Sequence, residues 1–279
     1  MRVGGQAVIE GVLMRSPNYT SIATTKNNKI KVKTIKNNPL IKKYEKVLFL
    51  RGIIYLIDML ILGIRSLSYS AKELSGEKEK ITGWDIFFSI FLAFIFSIGL
   101  FIIIPFYLAK AFSSNIFIFN LIDGLFRVII FILYIAIIGK LSDIKRVFQY
   151  HGAEHKTIAC YEDKKALNLK NIRKFSTLHR RCGTSFLLIV LILSIIIFSL
   201  IISDSTLVKI LARIILIPVI ASISYEIIRL EDKYNKFFLL NILIYPGLML
   251  QKITTKEPDA NQIKVAVKAL SSIIKREKE

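Results

Sequence analysis

The residues best suited to chemistry lie in one short segment, YHGAEHKTIACYE, at positions 150–162. His151 and His155 are four residues apart, so on a helix their imidazoles share one face, one turn apart. Glu154 completes the pattern H-x-x-E-H, in which inverted zinc proteases use two histidines to bind zinc and the glutamate as general base. We therefore predict a divalent metal site, with zinc as the expected ion and Glu154 as the catalytic residue. The alternative is a helix whose histidines are solvated or bonded to backbone carbonyls, since so short a pattern also occurs by chance.

A metal site needs about three protein ligands, so the two histidines of the motif require a further partner. All three histidines and both cysteines of the chain lie between Tyr150 and Cys182, which makes His179 the first candidate and Cys182 the second. Glu226 is a further candidate, because the third ligand of inverted zincins is a distant downstream glutamate. An ordinary ion pair of Glu226 with Arg229, three residues further on, is the alternative.

A second candidate feature, for substrate binding, follows in the same region. Arg180 and Arg181 precede the run 183–185, Gly-Thr-Ser, and arginines beside such a helix start can hold a phosphate or a carboxylate. The alternative is a positively charged flank followed by a helix cap. We include Arg181, Glu226 and Glu10 among the predicted substrate contacts, Glu10 on the condition that the N-terminal region folds over this loop.

The elements that must position these residues are rich in apolar side chains. The chain has 279 residues, of which 53% are hydrophobic, and its formal net charge is +20. Soluble domains are usually about 45–50% apolar, and here the excess is concentrated in blocks. This combination indicates a basic membrane protein, with the lipid bilayer as its partner, and argues against nucleic-acid binding. Two cysteines do not indicate a disulfide framework, and the N-terminus lacks the apolar run of a signal peptide.

We predict a mainly α, polytopic membrane protein with about four transmembrane helices, because roughly 20 apolar residues suffice to cross the hydrocarbon core. The first two helices occupy residues 86–139, and the third and fourth occupy residues 182–228. Pro105 predicts a kink near the end of the first. Asp123 and Arg127, four residues apart in the second, can neutralise each other. The predicted spans are Ile86–Ala109, Ile116–Gly139, Cys182–Ile202 and Leu207–Ile228.

Residues 1–46 form a predicted cytoplasmic β-hairpin region. The runs Ser21–Thr25 and Ile30–Ile35 alternate apolar and polar residues, and Asn27–Asn28 between them tolerates the left-handed conformation of a tight turn. Lysines line one face of the second strand. These lysines are either solvated or in contact with anionic lipid head groups.

Two further segments are predicted to lie at the membrane surface or to re-enter it. Residues 47–80 carry a charge at every seventh position of their helical part, which fits an amphipathic, interfacial helix better than a span. Residues 233–252 are apolar but too short to cross, and Pro246 interrupts them. Residues 253–279 are a predicted cytoplasmic amphipathic helix, which starts with a capping box at Asp259 and docks on the soluble part.

The charge of the central loop, residues 140–181 with the HGAEH motif, predicts the orientation. The segment Lys140–Gly183 carries eleven Lys and Arg against four Asp and Glu, and positively charged loops stay in the cytoplasm. With four spans, the loop and both termini then lie on the cytoplasmic side of the inner membrane. The reducing cytoplasm keeps Cys160 and Cys182 as thiols that can bind a metal.

Several long blocks together resemble the YqhQ-like family of bacterial membrane proteins, whose function is unknown. The blocks extend over nearly the whole chain and read GGQAVIEGVLMRSP, YHGAEHKTIACYE, HRRCGTSF, ISYEIIRL and QKITTKEPDANQIKVAVKAL. Members are described as metal-dependent enzymes without an established reaction, so the resemblance implies the membrane fold more firmly than any chemistry. This chain departs from the family pattern at Arg180, where the pattern has proline.

Two functions are consistent with these features. The first is a membrane-embedded, metal-dependent hydrolase that acts at the cytoplasmic membrane surface on a lipid head group or a nearby peptide. The second is a non-enzymatic membrane protein, either a transporter or a factor that assists membrane-protein assembly. Asp123, Arg127 and Arg213 favour the second, because charges within spans are costly and often functional.

Overall fold

The structure is a computed structural model that describes residues 1–39, 44, 46–75, 82–113, 115–201, 206–233 and 238–279. Within that range the protein is mostly helical and contains a small antiparallel sheet of four strands. Parts of four predicted segments lie outside the described residues. They are 40–43 and 45 of the N-terminal region, 76–80 of the amphipathic helix, 202 at the end of the third span, and 234–237 of the interfacial segment.

The bounds of the elements are as follows. The strands are β1 (Gly4–Val8), β2 (Gly11–Arg15), β3 (Tyr19–Lys26) and β4 (Lys29–Lys36). The helices are α1 (Leu50–Ser75), α2 (Gly83–Ile98), α3 (Ile104–Phe112), α4 (Ile116–Ile138), α5 (Ser142–Glu162), α6 (Leu169–Ile172), α7 (Gly183–Ser199), α8 (Thr206–Lys233), α9 (Phe238–Thr254) and α10 (Ala260–Lys278). A π-helical segment, Gly99–Ile103, joins α2 to α3.

The sheet is an antiparallel meander in the order β1-β2-β3-β4. The predicted hairpin is confirmed: β3 pairs with β4, and Asn27 and Asn28 between them have φ values of 50° and 60°, as a two-residue primed turn requires. The sequence does not predict the first hairpin, β1–β2, because the run from Gln6 to Met14 looks like one alternating segment. Glu10 forms that turn with a φ of 49°, and glutamate is not a residue type that signals turns.

Helices cover both faces of this sheet. On one face, Val12, Met14 and Ala23 pack with apolar side chains of α5 and α10. On the other face, Leu13 and Ile22 pack against α1. Every residue of β2 is buried as a result. The helix α10 starts with the predicted capping box and packs in this core against the sheet and α5.

Helix α1 directs the charged residues Arg51 and Asp58 inward and a stripe of apolar residues outward, while Arg65 and Lys72 are exposed. Asp58 pairs with Arg15 of β2 at 2.5 Å, and Arg51 pairs with Glu226 of α8. A stripe of large apolar side chains is exposed along the opposite side and consists of Ile57, Leu60, Ile61, Ile64 and Leu67. A continuous outward-facing apolar stripe is not the usual pattern of a surface helix in a soluble protein, and it suits a helix in contact with lipid.

Two helical segments are long and apolar enough to cross a membrane by length and composition, namely Gly83–Phe112 with 30 residues and Ile116–Ile138 with 23. They match the first two predicted spans and agree with association with a membrane. Pro105 provides no N–H to the helix, and the π-helical segment lies directly before it, a change in hydrogen bonding that accommodates the proline ring. Asp123 and Arg127 form the predicted ion pair at 2.7 Å inside α4.

In the described part of the chain no further helix meets these criteria, so the third and fourth spans stay predictions. Helix α7 is apolar, but its 17 residues are short for a span. Helix α8 has 28 residues and includes Arg213, whose side chain lies outside the described part of the structure. Helix α9 continues through Pro246 and packs against α7, with Gly247 next to Ser185.

Candidate metal centre

Helix α5 carries the H-x-x-E-H motif on one face. It packs against β1, β2 and α10, and most of its second half is buried. Gly152 allows the segment after α9 to approach closely, because a Cβ at this position would collide with the carbonyl of Lys256. The ring centroids of His151 and His155 are 4.4 Å apart. The helix therefore brings the two imidazoles together, as their spacing predicts.

Each imidazole of the motif is fixed by a backbone carbonyl. His151 Nδ1–H donates to the carbonyl of Thr254 at 2.9 Å, and His155 Nδ1–H donates to the carbonyl of Thr177 at 2.5 Å. A carbonyl oxygen can only accept, so Nδ1 of each ring carries a proton, and Nε2 is the atom left to bind a metal. Burial, assisted by the neighbouring His151, lowers the pKa of His155 well below its ordinary value, which keeps this ring neutral.

Cys182 completes the cluster. Its Sγ lies 3.2 Å from Nε2 of His151, and one ligand atom each of His151, His155 and Cys182 all lie within 4.8 Å of one another. Cys182 caps the N-terminus of α7, where its sulfur accepts from the N–H of Thr184. Of the His, Cys, Asp and Glu side chains that the structure describes, no others form such a group.

Two imidazoles and one cysteine sulfur form a donor set that zinc accepts, with the cysteine bound as the thiolate. Burial raises the pKa of the Cys182 thiol in the metal-free protein, so binding zinc would release its proton. Zinc-binding histidines usually donate their second N–H to a carbonyl or a carboxylate. The hydrogen bonds from the two histidines to the carbonyls of Thr254 and Thr177 are therefore consistent with metal binding and equally consistent with a purely structural role for the histidines. The convergence of His151 and His155 on the sulfur of Cys182 is an arrangement that could hold a metal ion.

Glu154 lies on the same helix face with its carboxyl group enclosed. Burial raises the pKa of Glu154 to about 8, although the nearby His151 acts in the opposite direction. Its Oε2 has no hydrogen-bond partner among the described residues, which is uncommon for a buried polar atom. Strand β1 passes directly over the group, since a Cβ at Gly5 would lie 2.7 Å from Glu154 Cγ and 2.8 Å from its Oε1.

His179 lies beside the cluster. Its ring centroid is 5.5 Å from that of His155, and its Nε2 faces Glu162 at 3.4 Å. Gln251 of α9 fixes the surrounding loop, because its Oε1 accepts from the N–H of His179 at 2.8 Å and its Nε2 donates to the carbonyl of the same residue at 2.9 Å. The geometry favours Cys182 over His179 as the third ligand.

Three groups that support the cluster were not identified from the sequence. Two are the carbonyls of Thr177 and Thr254, and a backbone carbonyl has no sequence signature because every residue has one. The third is Gln251, which is fully buried. It opens the block QKITTKEPD, and its position there, shortly before the capping box of α10, was the one signal available.

Two of the predicted substrate contacts lie in ion pairs outside the cluster. Glu226 binds Arg51 of α1, with 2.6 Å between Arg51 Nε and Glu226 Oε1. Glu10 binds Arg146 on the first half of α5 and also accepts a hydrogen bond from the hydroxyl of Tyr150 at 3.1 Å. The N-terminal region does fold over α5, as the sequence analysis required for Glu10, but it brings Gly5 rather than Glu10 to the motif.

Arg181 is the predicted substrate contact that lies nearest to the motif. It pairs with Glu162, the same carboxylate that faces His179. Its neighbour Arg180 donates to the side chain of Asn241 at 2.9 Å. Both arginines therefore join the loop before α7 to other elements of the fold.

Fold and site together define a mostly helical protein in which apolar helices and a small four-stranded sheet flank a cluster of two histidines and a cysteine, of which His155 and Cys182 are buried and His151 is half-buried. The chain belongs to the family described as "Protein of unknown function (DUF1385)", which matches residues 47–276. It is similar to "Uncharacterized protein YqhQ" of Bacillus subtilis (strain 168), with 35% identity over 295 aligned residues that cover 98% of this chain and 92% of the relative. The resemblance to YqhQ-like proteins is thereby confirmed. No solved structure matches this chain.

Proposed function

We propose that this protein holds one divalent metal ion, with zinc preferred, through His151, His155 and Cys182 and uses it for hydrolysis at the cytoplasmic surface of the membrane. The observation that carries the proposal is the convergence of two carbonyl-anchored imidazoles and a thiol, with ligand atoms within 4.8 Å of one another. Three protein ligands leave a fourth tetrahedral position for water or substrate, as catalytic zinc sites require.

Glu154 is the general base in this proposal. Zinc bound to the cluster would supply Lewis-acid polarisation and make a water molecule more acidic. Glu154 Oε2 has no hydrogen-bond partner among the described residues and can accept a proton from that water. With a pKa of about 8 in the metal-free protein, Glu154 is mostly protonated at neutral pH; the positive charge of a bound zinc ion would lower this pKa and favour the carboxylate that acts as the base. The carbonyls of Thr254 and Thr177 hold the Nδ1 protons, so both rings keep their orientation throughout.

The site lies, in this proposal, where α7 enters the inner membrane from the cytoplasm. Cys182 directly precedes the apolar helix α7, which serves as the third of four spans, and α8 serves as the fourth. The excess of Lys and Arg in the segment Lys140–Gly183 supports a cytoplasmic location of the loop and of both termini. The exposed apolar stripe of α1 and the lysines of β4 lie at the same membrane surface, where the lysines face anionic lipid head groups.

Elemental analysis of the detergent-purified protein tests the metal site. The proposal expects about one zinc ion per chain, and expects its loss in His151→Ala, His155→Ala and Cys182→Ala. His179→Ala is the matched control, because it removes an imidazole 5.5 Å from that of His155 without removing a proposed ligand. Unchanged zinc content in both His151→Ala and His155→Ala would contradict the proposal.

A second experiment tests the role of Glu154. Glu154→Gln keeps the size of the side chain but cannot accept the proton, so the variant should bind zinc and lose hydrolysis by about 10²–10⁴-fold. Casein and vesicles of phosphatidylglycerol are the two probes, read by peptide and lipid mass spectrometry. Full activity of Glu154→Gln on a probe that the wild-type protein cleaves would exclude Glu154 as the base.

A non-enzymatic role, as a transporter or as a factor in membrane-protein assembly, is the second candidate. It is favoured by the ion pair of the buried Asp123 and the half-buried Arg127 within an apolar helix, where charged residues are often functional. Replacing the pair by Asn and Gln together should then abolish function in cells while the protein stays folded. If the double variant functions normally, the pair of Asp123 and Arg127 has only a structural role.

A further inference from the structure

The two edges of the sheet are built differently. β4, at one edge, carries exposed lysines at positions 29, 31, 33 and 36, and charges on an edge strand oppose pairing with further strands. β1, at the other edge, has the sequence GGQAV, without a charge or a proline. It pairs with β2 in continuous register, without a bulge. Among the described residues, no group hydrogen-bonds to the outer edge of β1.

This unprotected edge belongs to the strand that contacts Glu154. Gly5 lies against the carboxyl group, and a Cβ at Gly4 would meet nothing within 4 Å. Glycine within a strand often marks a position where a ligand or another backbone approaches closely. The beginning of β1 thus combines an unpaired backbone edge with a sheet face that contacts the proposed catalytic base through Gly5, and it leaves open space on the opposite face at Gly4.

We infer that the outer edge of β1 binds the substrate, and that the substrate is an extended polypeptide segment that pairs with β1 as an additional strand. The inference rests on the proposed hydrolase function, to which it adds the class of substrate. An extended backbone matches a strand edge because its N–H and C=O groups recur along its length. A lipid head group has no such repeat and cannot satisfy the edge.

Strand pairing along Gly4–Val8 brings the bound peptide alongside the strand that covers Glu154. Hydrolysis consumes one water molecule, whose oxygen bonds to the amide carbon while the C–N bond breaks. Glu154 takes a proton from the water and passes it to the leaving nitrogen, so no oxidant or further reactant is needed.

Photo-crosslinking of the full-length, zinc-loaded protein tests the inference. The photoreactive residue p-benzoylphenylalanine is placed at Gly4, where there is space for it, and at Val32 of β4 in a matched variant, since Val32 is 40% exposed at the opposite edge. Both variants carry Glu154→Gln, so that the probe, unfolded casein, is not consumed. The expected result is a casein adduct from position 4 and background labelling from position 32.

A kinetic variant provides an independent reading. Gly4→Lys places on β1 the kind of charge that β4 carries, and it should raise the KM for casein by about two- to tenfold, the effect of losing one or two backbone hydrogen bonds. The kcat and the zinc content should stay as in the wild-type protein, which shows that the fold and the metal site are intact. An unchanged KM would overturn the inference.

Three further outcomes would also overturn it. They are equal labelling of casein from both positions, a crosslink between two copies of this chain through position 4 in place of casein, and cleavage of phosphatidylglycerol without cleavage of casein. Zinc content separates this inference from the proposed function. If the protein binds no zinc but still crosslinks casein from position 4, the proposed hydrolase function is refuted and peptide binding at the β1 edge is supported. If the zinc-loaded protein gives no crosslink, only peptide binding at the β1 edge is refuted.

Discussion

Two polar clusters lie inside this protein, and their hydrogen bonding differs. In the cluster of His151, His155 and Cys182, both Nδ1 atoms bond to backbone carbonyls, and the remaining ring nitrogens and the sulfur lie close together. In α4, Asp123 and Arg127 pair at 2.7 Å, but Asp123 Oδ1 and Arg127 Nε have no hydrogen-bond partner among the described residues.

The two clusters differ in where the polar atoms that are left over from these hydrogen bonds point. Around α5 they are lone pairs that converge on one place, next to the unpaired oxygen of Glu154, and such convergence is what a bound cation requires. In α4 the unused atoms belong to two charges that already neutralise each other. We therefore expect ligand binding at α5 and a structural role for the pair in α4, and the following variants are designed to break or sharpen that distinction.

The largest effect is expected from breaking the pair in α4. Asp123→Ala leaves Arg127 buried without its partner and should destabilise the protein by about 3–5 kcal/mol, measured by chemical denaturation in detergent. The double variant Asp123→Asn with Arg127→Gln removes both charges and should be less destabilised than the single variant. Zinc content should be normal in both. Loss of zinc from a folded Asp123 variant would show that the two clusters are not independent.

A smaller loss of stability is expected from replacing Gln251, the residue of α9 that supports the α5 cluster. Gln251→Ala removes hydrogen bonds to the N–H and C=O of His179 and to Ser185 Oγ, a loss of about 3 kcal/mol at roughly 1 kcal/mol each. Zinc affinity should fall by about 10–100-fold, as for other residues that orient a metal site from outside.

Gln149→Ala is the matched control for this variant. Gln149 makes its hydrogen bond to Gln262 of α10 at 3.1 Å, outside the cluster, so zinc affinity should not change. Equal zinc affinity of the Gln251 and Gln149 variants, measured by competition with a chelator, would show that the α9 contacts do not support the site.

The smallest effect is expected at β1. Gly5→Ala inserts a methyl group 2.7 Å from Glu154 Cγ and should destabilise the protein by about 1–3 kcal/mol through overpacking. Gly4→Ala places the same group in open space on the same strand, so its stability should lie within about 0.5 kcal/mol of the wild type. Thermal unfolding of the two variants makes the comparison, and equal stabilities would mean that β1 does not press on Glu154.

The parts of the fold that local patterns determine could be predicted from the sequence. The turn at Asn27–Asn28, the capping box at Asp259, the first two apolar helices and the pair of Asp123 and Arg127 each depend on residues close together in the chain. The hairpin at Glu10 could not be predicted, because its turn conformation is set by strand pairing rather than by a residue that favours it.

The candidate site could be predicted in part, and for the same reason. The motif on α5 is local, so its histidines and Glu154 were identifiable. The choice between His179 and Cys182 depends on how the loop before α7 is held by Gln251, a contact between residues 72 positions apart. The approach of Gly5 to Glu154 is likewise tertiary, and a glycine in a strand does not reveal which side chain it makes room for.

X-ray absorption spectroscopy at the zinc edge tests the central claim most directly, because it identifies the atoms bound to the metal. The account predicts one sulfur at about 2.3 Å and nitrogens at about 2.0–2.1 Å. The sulfur should vanish in Cys182→Ser and remain in Cys160→Ser, whose thiol lies 3.7 Å from the carbonyl of Ala166 instead. A zinc shell without sulfur in the wild-type protein, or one that loses sulfur only in Cys160→Ser, would contradict the account.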